Sequence, residues 1–274
     1  MGSTLDIISA IILGVVQALT EFFPVSSSAH LVLAGKLLGV ESKNGVAFEV
    51  AVHIGTLFAV LIVFRKDFVD LSHATLRGLR RLGDLRAAMA EDPALLQAVA
   101  VLVGCVPAGL IGVFFKDAIE SVFHSTLFVC WGLVVTGLAL TATRFVPQGD
   151  RPITLRDALL IGCAQAVSIL PGVSRSGSTI CAGIFLGNDR LAAARFSFLM
   201  SVPIVAGAVL LKTLDVIKDP PGEDFFIGAA IGAGVSFVVG LGVLALLMRI
   251  LKLGRFAEFG WYCFAVAAWG FYAL

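Results

Sequence analysis

Long apolar runs and short polar interruptions alternate along this chain. The apolar segments lie at 5–23, 27–40, 46–64, 94–114, 122–143, 156–170, 176–187, 191–213, 224–250 and 256–273. A helix rises 1.5 Å per residue, so a hydrocarbon core of about 30 Å takes about 20 residues to cross. Segments 27–40, 156–170 and 176–187 are too short, and each adjoins a cluster of Pro, Gly and Ser. Short helices broken at such clusters are the pattern of re-entrant hairpins. Segment 5–23 is long enough to span, and length alone does not assign it.

The pattern repeats. The stretch 14–30, GVVQALTEFFPVSSSAH, resembles 162–178, GCAQAVSILPGVSRSGS. Setting Gly14 on Gly162 also sets Gln17, Val25, Ser26 and Ser28 on Gln165, Val173, Ser174 and Ser176, while Pro24 and Pro171 miss by one place. Each half then reads as two broken segments followed by three spans. An odd number of spans brings the second half in from the opposite face. The predicted fold is an all-α polytopic membrane protein: an inverted-topology repeat with about six transmembrane helices plus two re-entrant helical hairpins. We read 1–274 as a single integral membrane domain, with repeat 1 at about 1–143 and repeat 2 at about 156–274.

Charge orients this arrangement. Arg65, Lys66, Arg77, Arg80, Arg81 and Arg86 crowd the 65–93 loop. Arg144, Arg151 and Arg156 lie at 144–156, and Arg249, Lys252 and Arg255 at 249–255. The connections 115–121 and 214–224 hold Asp117, Glu120, Asp215, Asp219, Glu223 and Asp224 instead. By the positive-inside rule the basic loops are cytoplasmic and both chain ends face outward. The 65–93 loop is the one stretch that suits an amphipathic interfacial helix.

Composition agrees. Hydrophobic residues make up 58% of the chain, charged residues only 14%, and mean hydropathy is +0.98. A soluble domain carries about a quarter charged residues. A net charge of +1 implies no nucleic acid or other polyanion partner. Cys105, Cys130, Cys163, Cys181 and Cys263 sit in apolar segments without metal-ligand spacing and read as small packing residues. The chain start lacks a basic n-region and reads as part of the first segment, not as a cleaved leader.

The candidate chemistry sits at the breaks. Gln17 and Glu21 are four apart and share a helix face. Pro24 ends that helix, and Ser26, Ser27 and Ser28 are placed to cap the next. Ser27 and His30 are three apart and can face the same way. In the second copy, Ser174, Arg175, Ser176 and Thr179 open a helix after Pro171-Gly172. Ser27 aligns with Arg175, so one tip carries acid and hydroxyl and the other carries the cation. Two helix N-termini, hydroxyl donors and a guanidinium fork describe an anion site, with phosphate favoured by the number of donors. Glu21 would serve such a site as a base or by holding a divalent cation. A purely structural Glu21–Arg175 salt bridge is the competing explanation for two costly membrane charges, although it leaves the serine-rich breaks unexplained. Single serines at these positions serve packing or capping equally well. Glu49 and His53, four apart, are either a support for the tip or a solvated helix-end pair. His73 and His124 read as loop residues. Trp131, Trp261 and Trp269 read as core or interface aromatics.

QALTEFFPVSSSAH and LPGVSRSGST resemble the two signature motifs of the bacterial undecaprenyl-pyrophosphate phosphatase family, the bacitracin-resistance proteins. The first family motif, (E/Q)xxxE followed by PVSS and a histidine, falls on Gln17, Glu21, Pro24 to Ser27 and His30. The second, PGxSRSxxT, falls on Pro171 to Thr179. Gln17 stands where relatives often carry an acid, which weakens any mechanism needing two carboxylates here. Arg195 stands where relatives are expected to carry an acid, and no role is carried to it. The resemblance implies hydrolysis of a C55 polyprenyl pyrophosphate to the monophosphate, recycling the cell-wall carrier lipid, with Mg2+ or Ca2+ as cofactor. It implies a site opening to the periplasmic or extracellular side of the bacterial plasma (inner) membrane. Partners are then the polyprenyl pyrophosphate lipid, the bilayer and, as an open alternative to a monomer, a second copy in a homodimer. The site residues so implied are Glu21, Ser27, His30 and Arg175 as catalytic and Gln17, Ser26, Ser28, Ser174, Ser176 and Thr179 as substrate-binding, with Glu21 also a metal ligand. Ser27 as nucleophile and water positioned by Ser27 both remain open, as do Glu21 and His30 as base. A flippase or transporter of polyprenyl phosphates is the alternative function, since inverted repeats with broken helices also build transporters.

Overall fold

Local sequence sets the helix ends. A computed structural model describes residues 6–39, 45–115, 122, 125–218 and 223–273. Asp6 caps α1 (Ile7–Phe22) by accepting from the Ser9 N–H at 2.6 Å. Ser26 caps α2 (Ser27–Leu38), which ends at Gly39 with φ +63°, a left-handed position natural to glycine. α3 (Gly45–Val63) turns by 78° into α4 (Arg65–Leu79), and α5 (Leu85–Glu91) follows. Asp92 caps α6 (Pro93–Phe114), with Pro93 in the first turn, where its missing N–H costs nothing. Then come α7 (Thr126–Ala142), α8 (Leu155–Val167), α9 (Arg175–Phe185), α10 (Arg190–Lys218), α11 (Glu223–Lys252) and α12 (Phe259–Ala273). Thr154 and Asp157 form a reciprocal capping box at the start of α8. Asp117, Glu120, His124 and Asp219 lie outside the described residues.

The chain is an all-helical polytopic membrane protein. Among the described residues four helices are long and apolar enough to cross a bilayer: Pro93–Phe114, Thr126–Phe145, Arg190–Lys218 and Phe225–Lys252. The bent pair Ala47–Val63 plus Arg65–Leu79 makes a fifth if counted as one span. α1 has 16 residues, or about 24 Å of rise, short of a hydrocarbon core. α2, α8 and α9 have 12, 13 and 11. The segment that length left unassigned therefore joins the short ones. Large apolar side chains such as Phe58, Leu102, Val113, Leu138 and Val238 stand exposed on the long helices, as lipid-facing surfaces require. Trp131 on α7, and Trp261 and Trp269 on the 15-residue α12, are exposed as well, so they face outward and not the core. The cysteines are free thiols.

Small residues let the helices cross closely. α1 packs on α11, and α8 packs on α6. A Cβ added to Gly14 would lie 2.7 Å from the Gly232 carbonyl oxygen, and one added to Gly162 would lie 2.3 Å from that of Gly104. Both crossings depend on bare backbone. α3 also packs on α11, α10 on α6, α3 on α10 and α7 on α12. The main core gathers Phe22, Ile180, Ile184, Phe198, Met200 and Leu244, all fully buried, where the two hairpins meet α10 and α11. Phe22 meets Phe198 edge-on at 6.0 Å.

The 65–93 region is helical and lies against the bundle. α4 buries Leu71, Ala74 and Gly78 while Val69, Leu76 and Leu79 stay exposed, and it packs on α6. His73, expected in a loop, is an exposed residue of α4. Arg77 donates twice to Asp92 Oδ2, at 3.1 and 2.6 Å, which ties the end of α4 to the cap of α6. That guanidinium holds the Asp92 carboxyl below the usual carboxylate range.

Candidate active site

Two helical hairpins build the site. The first is α1–α2 with its break at 23–26; the second is α8–α9 with a longer break at 168–174. No residue is inserted between the copies; the second break is longer because α8 ends three places earlier in register than α1. Each break needs one residue at positive φ. The second uses Gly172, at +86°, but the first uses Ser26, at +69°, the only non-glycine in that region among the described residues. Holding a serine there costs about 1–3 kcal/mol and persists only where the surroundings over-determine it. It delivers Ser27 to the first turn of α2.

Four side chains from four helices then converge on Glu21. Ser27 Oγ donates to Glu21 Oε2 at 2.6 Å. Arg175 Nη2, from the other hairpin, donates to Glu21 Oε1 at 2.5 Å. Gln17 Nε2 donates to Glu21 Oε2 at 3.3 Å. His53 Nε2, from α3, lies 3.6 Å from the same oxygen. The side chains of Glu21 and Arg175 are 9% and 16% exposed, so each charge needs the other. Yet Arg175 Nη1 is buried without a hydrogen-bond partner, as is Gln17 Oε1. A buried guanidinium N–H left unpaired costs free energy, and an anionic oxygen is what would satisfy it.

The remaining predicted residues divide. Ser26 Oγ accepts from the Ala29 N–H and lies 3.1 Å from Ser28 Oγ. Ser174 Oγ accepts from the Gly177 N–H and lies 3.3 Å from Ser176 Oγ. Both caps are buried, and the Ser176 hydroxyl reaches the Phe23 carbonyl of the opposite hairpin at 3.4 Å. Thr179 was expected at the ligand. Its hydroxyl is instead buried between the Arg175 carbonyl, at 2.8 Å, and Ser197 Oγ, at 2.6 Å, which fixes α9 on α10. These groups hold the tips together and leave Ser27 and Arg175 to face Glu21.

His30 does not join that trio by a hydrogen bond. Its Nδ1 lies 2.8 Å from the Ser26 carbonyl and its Nε2 lies 2.9 Å from the Tyr262 hydroxyl of α12. A carbonyl can only accept, so Nδ1 carries a proton, and Nε2 shares its hydrogen bond with the Tyr262 hydroxyl. The two rings stack, 5.6 Å between centres and 7° from parallel.

Comparison of the whole sequence with known families decides the kinship. The family model described as bacitracin resistance protein BacA matches residues 10–269. The chain belongs to the BacA family. Three curated relatives of this BacA chain are similar over most of its length. An undecaprenyl-diphosphatase of Desulfosudis oleivorans is 41% identical over 262 residues, 94% of each chain. Undecaprenyl-diphosphatase 2 of Stutzerimonas stutzeri is 42% identical over 240 residues, 84% of each. An undecaprenyl-diphosphatase of Methanosphaera stadtmanae is 38% identical, covering 94% of this chain and 95% of its own.

Three contributors to this BacA site lay beyond the motif reading. His53 carried only a weak signal, its i,i+4 spacing from Glu49. Glu49 Oε2 pairs with Lys212 Nζ of α10 at 2.8 Å, and the His53 Nδ1–H donates to the Glu49 carbonyl at 2.7 Å. Lys212 and Tyr262 carried no signal, because neither lies in a motif. Arg195, left without a role, lies 3.6 Å from Asp67. The donor set does not fit a protein-held cation. No group of three or more His, Cys, Asp or Glu among the described residues could hold a metal ion. Both Glu21 oxygens are already engaged, whereas Mg2+ and Ca2+ take six or more oxygen ligands.

Proposed function

We propose that the chain hydrolyses undecaprenyl pyrophosphate to undecaprenyl phosphate and inorganic phosphate at the Glu21–Ser27–Arg175 site, recycling the cell-wall carrier lipid and conferring bacitracin resistance. The observation that carries this reading is the 2.6 Å Ser27–Glu21 hydrogen bond facing an arginine with a free buried donor. A hydroxyl already donating to a carboxylate is a nucleophile beside its base. Ser27 Oγ attacks the terminal phosphorus and its proton passes to Glu21 Oε2. The anhydride P–O bond breaks, and its electron pair stays on the bridging oxygen of the departing polyprenyl monophosphate. Water then attacks the phosphoserine. The proton on Glu21 returns to Ser27 Oγ as that bond breaks, and phosphate leaves.

Arg175 and the first N–H groups of α2 and α9 stabilise charge on the transferred oxygens. Ser26, Ser28, Ser174, Ser176 and Thr179 act by fixing these donors. Glu21, and not His30, is the base, because Ser27 donates to it. His30, once protonated at Nε2, gives that proton to the departing phosphate and is left neutral, and Tyr262 holds its ring. A divalent cation, Mg2+ or Ca2+, would come with the diphosphate oxygens and not from a protein cage, and no step here runs through it.

The architecture proposed for this chemistry is the inverted repeat, with six spans, two re-entrant hairpins and the basic 65–93 region cytoplasmic. Exchanged packing supports it: α1 on α11 is matched by α8 on α6, and α3 on α11 by α10 on α6. Matched caps, Ser26 and Ser174, and matched buried amides, Gln17 and Gln165, support it too. The site would open to the periplasmic face. Phosphate release from a prenyl pyrophosphate by the purified protein in detergent tests the enzyme reading. A chain that only flips lipid releases none where there are no two sides.

A further inference from the structure

We propose that a second polar cavity, at one end of the bundle, binds the phosphate of an anionic phospholipid headgroup. The cavity measures about 240 Å3 and is lined by Thr141, Thr143, Arg144, Arg190, Glu258 and Trp261, none of which belongs to the active site. Its walls are helix ends and the turns beside them. They are the close of α7, the turn Thr143–Phe145, the start of α10, the turn Phe256–Glu258 and the start of α12. Helix ends that gather arginines and an aromatic mark the level of the lipid headgroups.

Charge selects the ligand. The exposed Arg144 guanidinium has no hydrogen-bond or ion-pair partner among the described residues. Arg190 donates from Nη2 to the Val146 carbonyl at 3.3 Å, but its Nε is buried and unpartnered. Glu258 acts on Arg144 only at longer range, while Arg255 holds its carboxylate through contacts of 2.8 to 3.1 Å. Three guanidinium groups thus stand against one carboxylate. A phosphate oxygen satisfies the orphaned Arg190 N–H and bridges to the Arg144 fork, the contact that guanidinium geometry favours. Trp261, 63% exposed, decides between a lipid and a free anion. An inorganic phosphate has no use for an indole wall, whereas a headgroup at this level packs its glycerol and acyl ester against one. Basic pockets between helix ends hold anionic lipids for these reasons.

The test is native mass spectrometry of the delipidated full-length protein titrated with phosphatidylglycerol, with phosphatidylcholine and with inorganic phosphate. Phosphatidylglycerol should be retained at least about tenfold more tightly than phosphatidylcholine, which has the same phosphate but a choline cation that the guanidinium groups repel. Arg144→Gln, at an exposed side chain, should erase that preference while prenyl pyrophosphate hydrolysis in detergent stays unchanged. Arg190→Lys keeps the charge, drops the Nε–H and should weaken retention severalfold. Equal retention of the two lipids, or an intact preference in Arg144→Gln, overturns the site. Displacement of phosphatidylglycerol by inorganic phosphate at matched concentration overturns the lipid as its occupant.

Discussion

Arg175 Nη2 lies 2.5 Å from Glu21 Oε1, although the two residues are 154 positions apart and belong to different hairpins. The contact answers the cost of placing an acid and a cation in an apolar interior, since each neutralises the other. A structural salt bridge alone leaves two features of the pair unexplained. The second carboxylate oxygen holds the Ser27 hydroxyl, and the second guanidinium nitrogen, Nη1, has no partner. Both ends of the pair therefore carry something left to do.

Removing the cation separates these roles. Arg175→Ala should lower kcat about 100- to 1000-fold, the effect of losing one donor to a developing oxyanion. Arg175→Lys should not restore the rate, because a point charge cannot meet Glu21 and a phosphate oxygen with one planar fork. Steady-state phosphate release from detergent-solubilised variants, beside their melting curves, reads both. A near-native rate in Arg175→Ala contradicts the clamp.

Tyr262 fixes the His30 ring from α12 through the 2.9 Å hydrogen bond and the stack. Tyr262→Phe keeps the stack and loses the hydrogen bond, worth about 1 kcal/mol. It should lower kcat about threefold to tenfold with KM unchanged. Tyr262→Ala loses both and should do worse. A change confined to KM contradicts this assignment.

The close crossings make a stability prediction independent of chemistry. Gly162→Val places side-chain atoms where a Cβ alone already meets the Gly104 carbonyl at 2.3 Å. Overpacking of this kind costs about 1–3 kcal/mol. The thermal midpoint of the variant should fall. Gly109→Ala, where nothing lies within 4 Å, is the control and should leave the midpoint in place or raise it slightly.

The Arg77–Asp92 contact makes the end of α4 sensitive to acid. Because the folded-state pKa of Asp92 is depressed, its stabilising share is present above the ordinary aspartate value, about 3.9, and is lost as pH falls through the lower folded value. Amide exchange in α4 should quicken below about pH 4, and Arg77→Gln should remove that acid dependence.

The motif residues were legible because their signals are local. Pro24 with Ser26, and Pro171-Gly172 with Ser174, announce breaks and caps within a few residues. Apolar length likewise separated α2, α8 and α9 from the long helices. What was not legible depends on packing. Lys212 reaches Glu49, and Tyr262 reaches His30, only because α10 and α12 lie where they do. Thr179 sits three positions past Ser176 on a helix that buries that face against Ser197, so a residue that the motif presents as a ligand contact is a clamp between helices. Length left the first segment unassigned because composition counts apolar residues and does not show where Asp6 and Phe23 stop the helix.

The most direct measurement is rapid chemical quench with substrate labelled in its terminal phosphate, followed by peptide mapping. Attack by Ser27 predicts label on the peptide containing Ser27, formed and discharged as fast as turnover, and a loss of both label and activity in Ser27→Ala. Full activity of Ser27→Ala with no labelled protein at any time would show that water attacks directly and that the 2.6 Å contact with Glu21 serves another purpose.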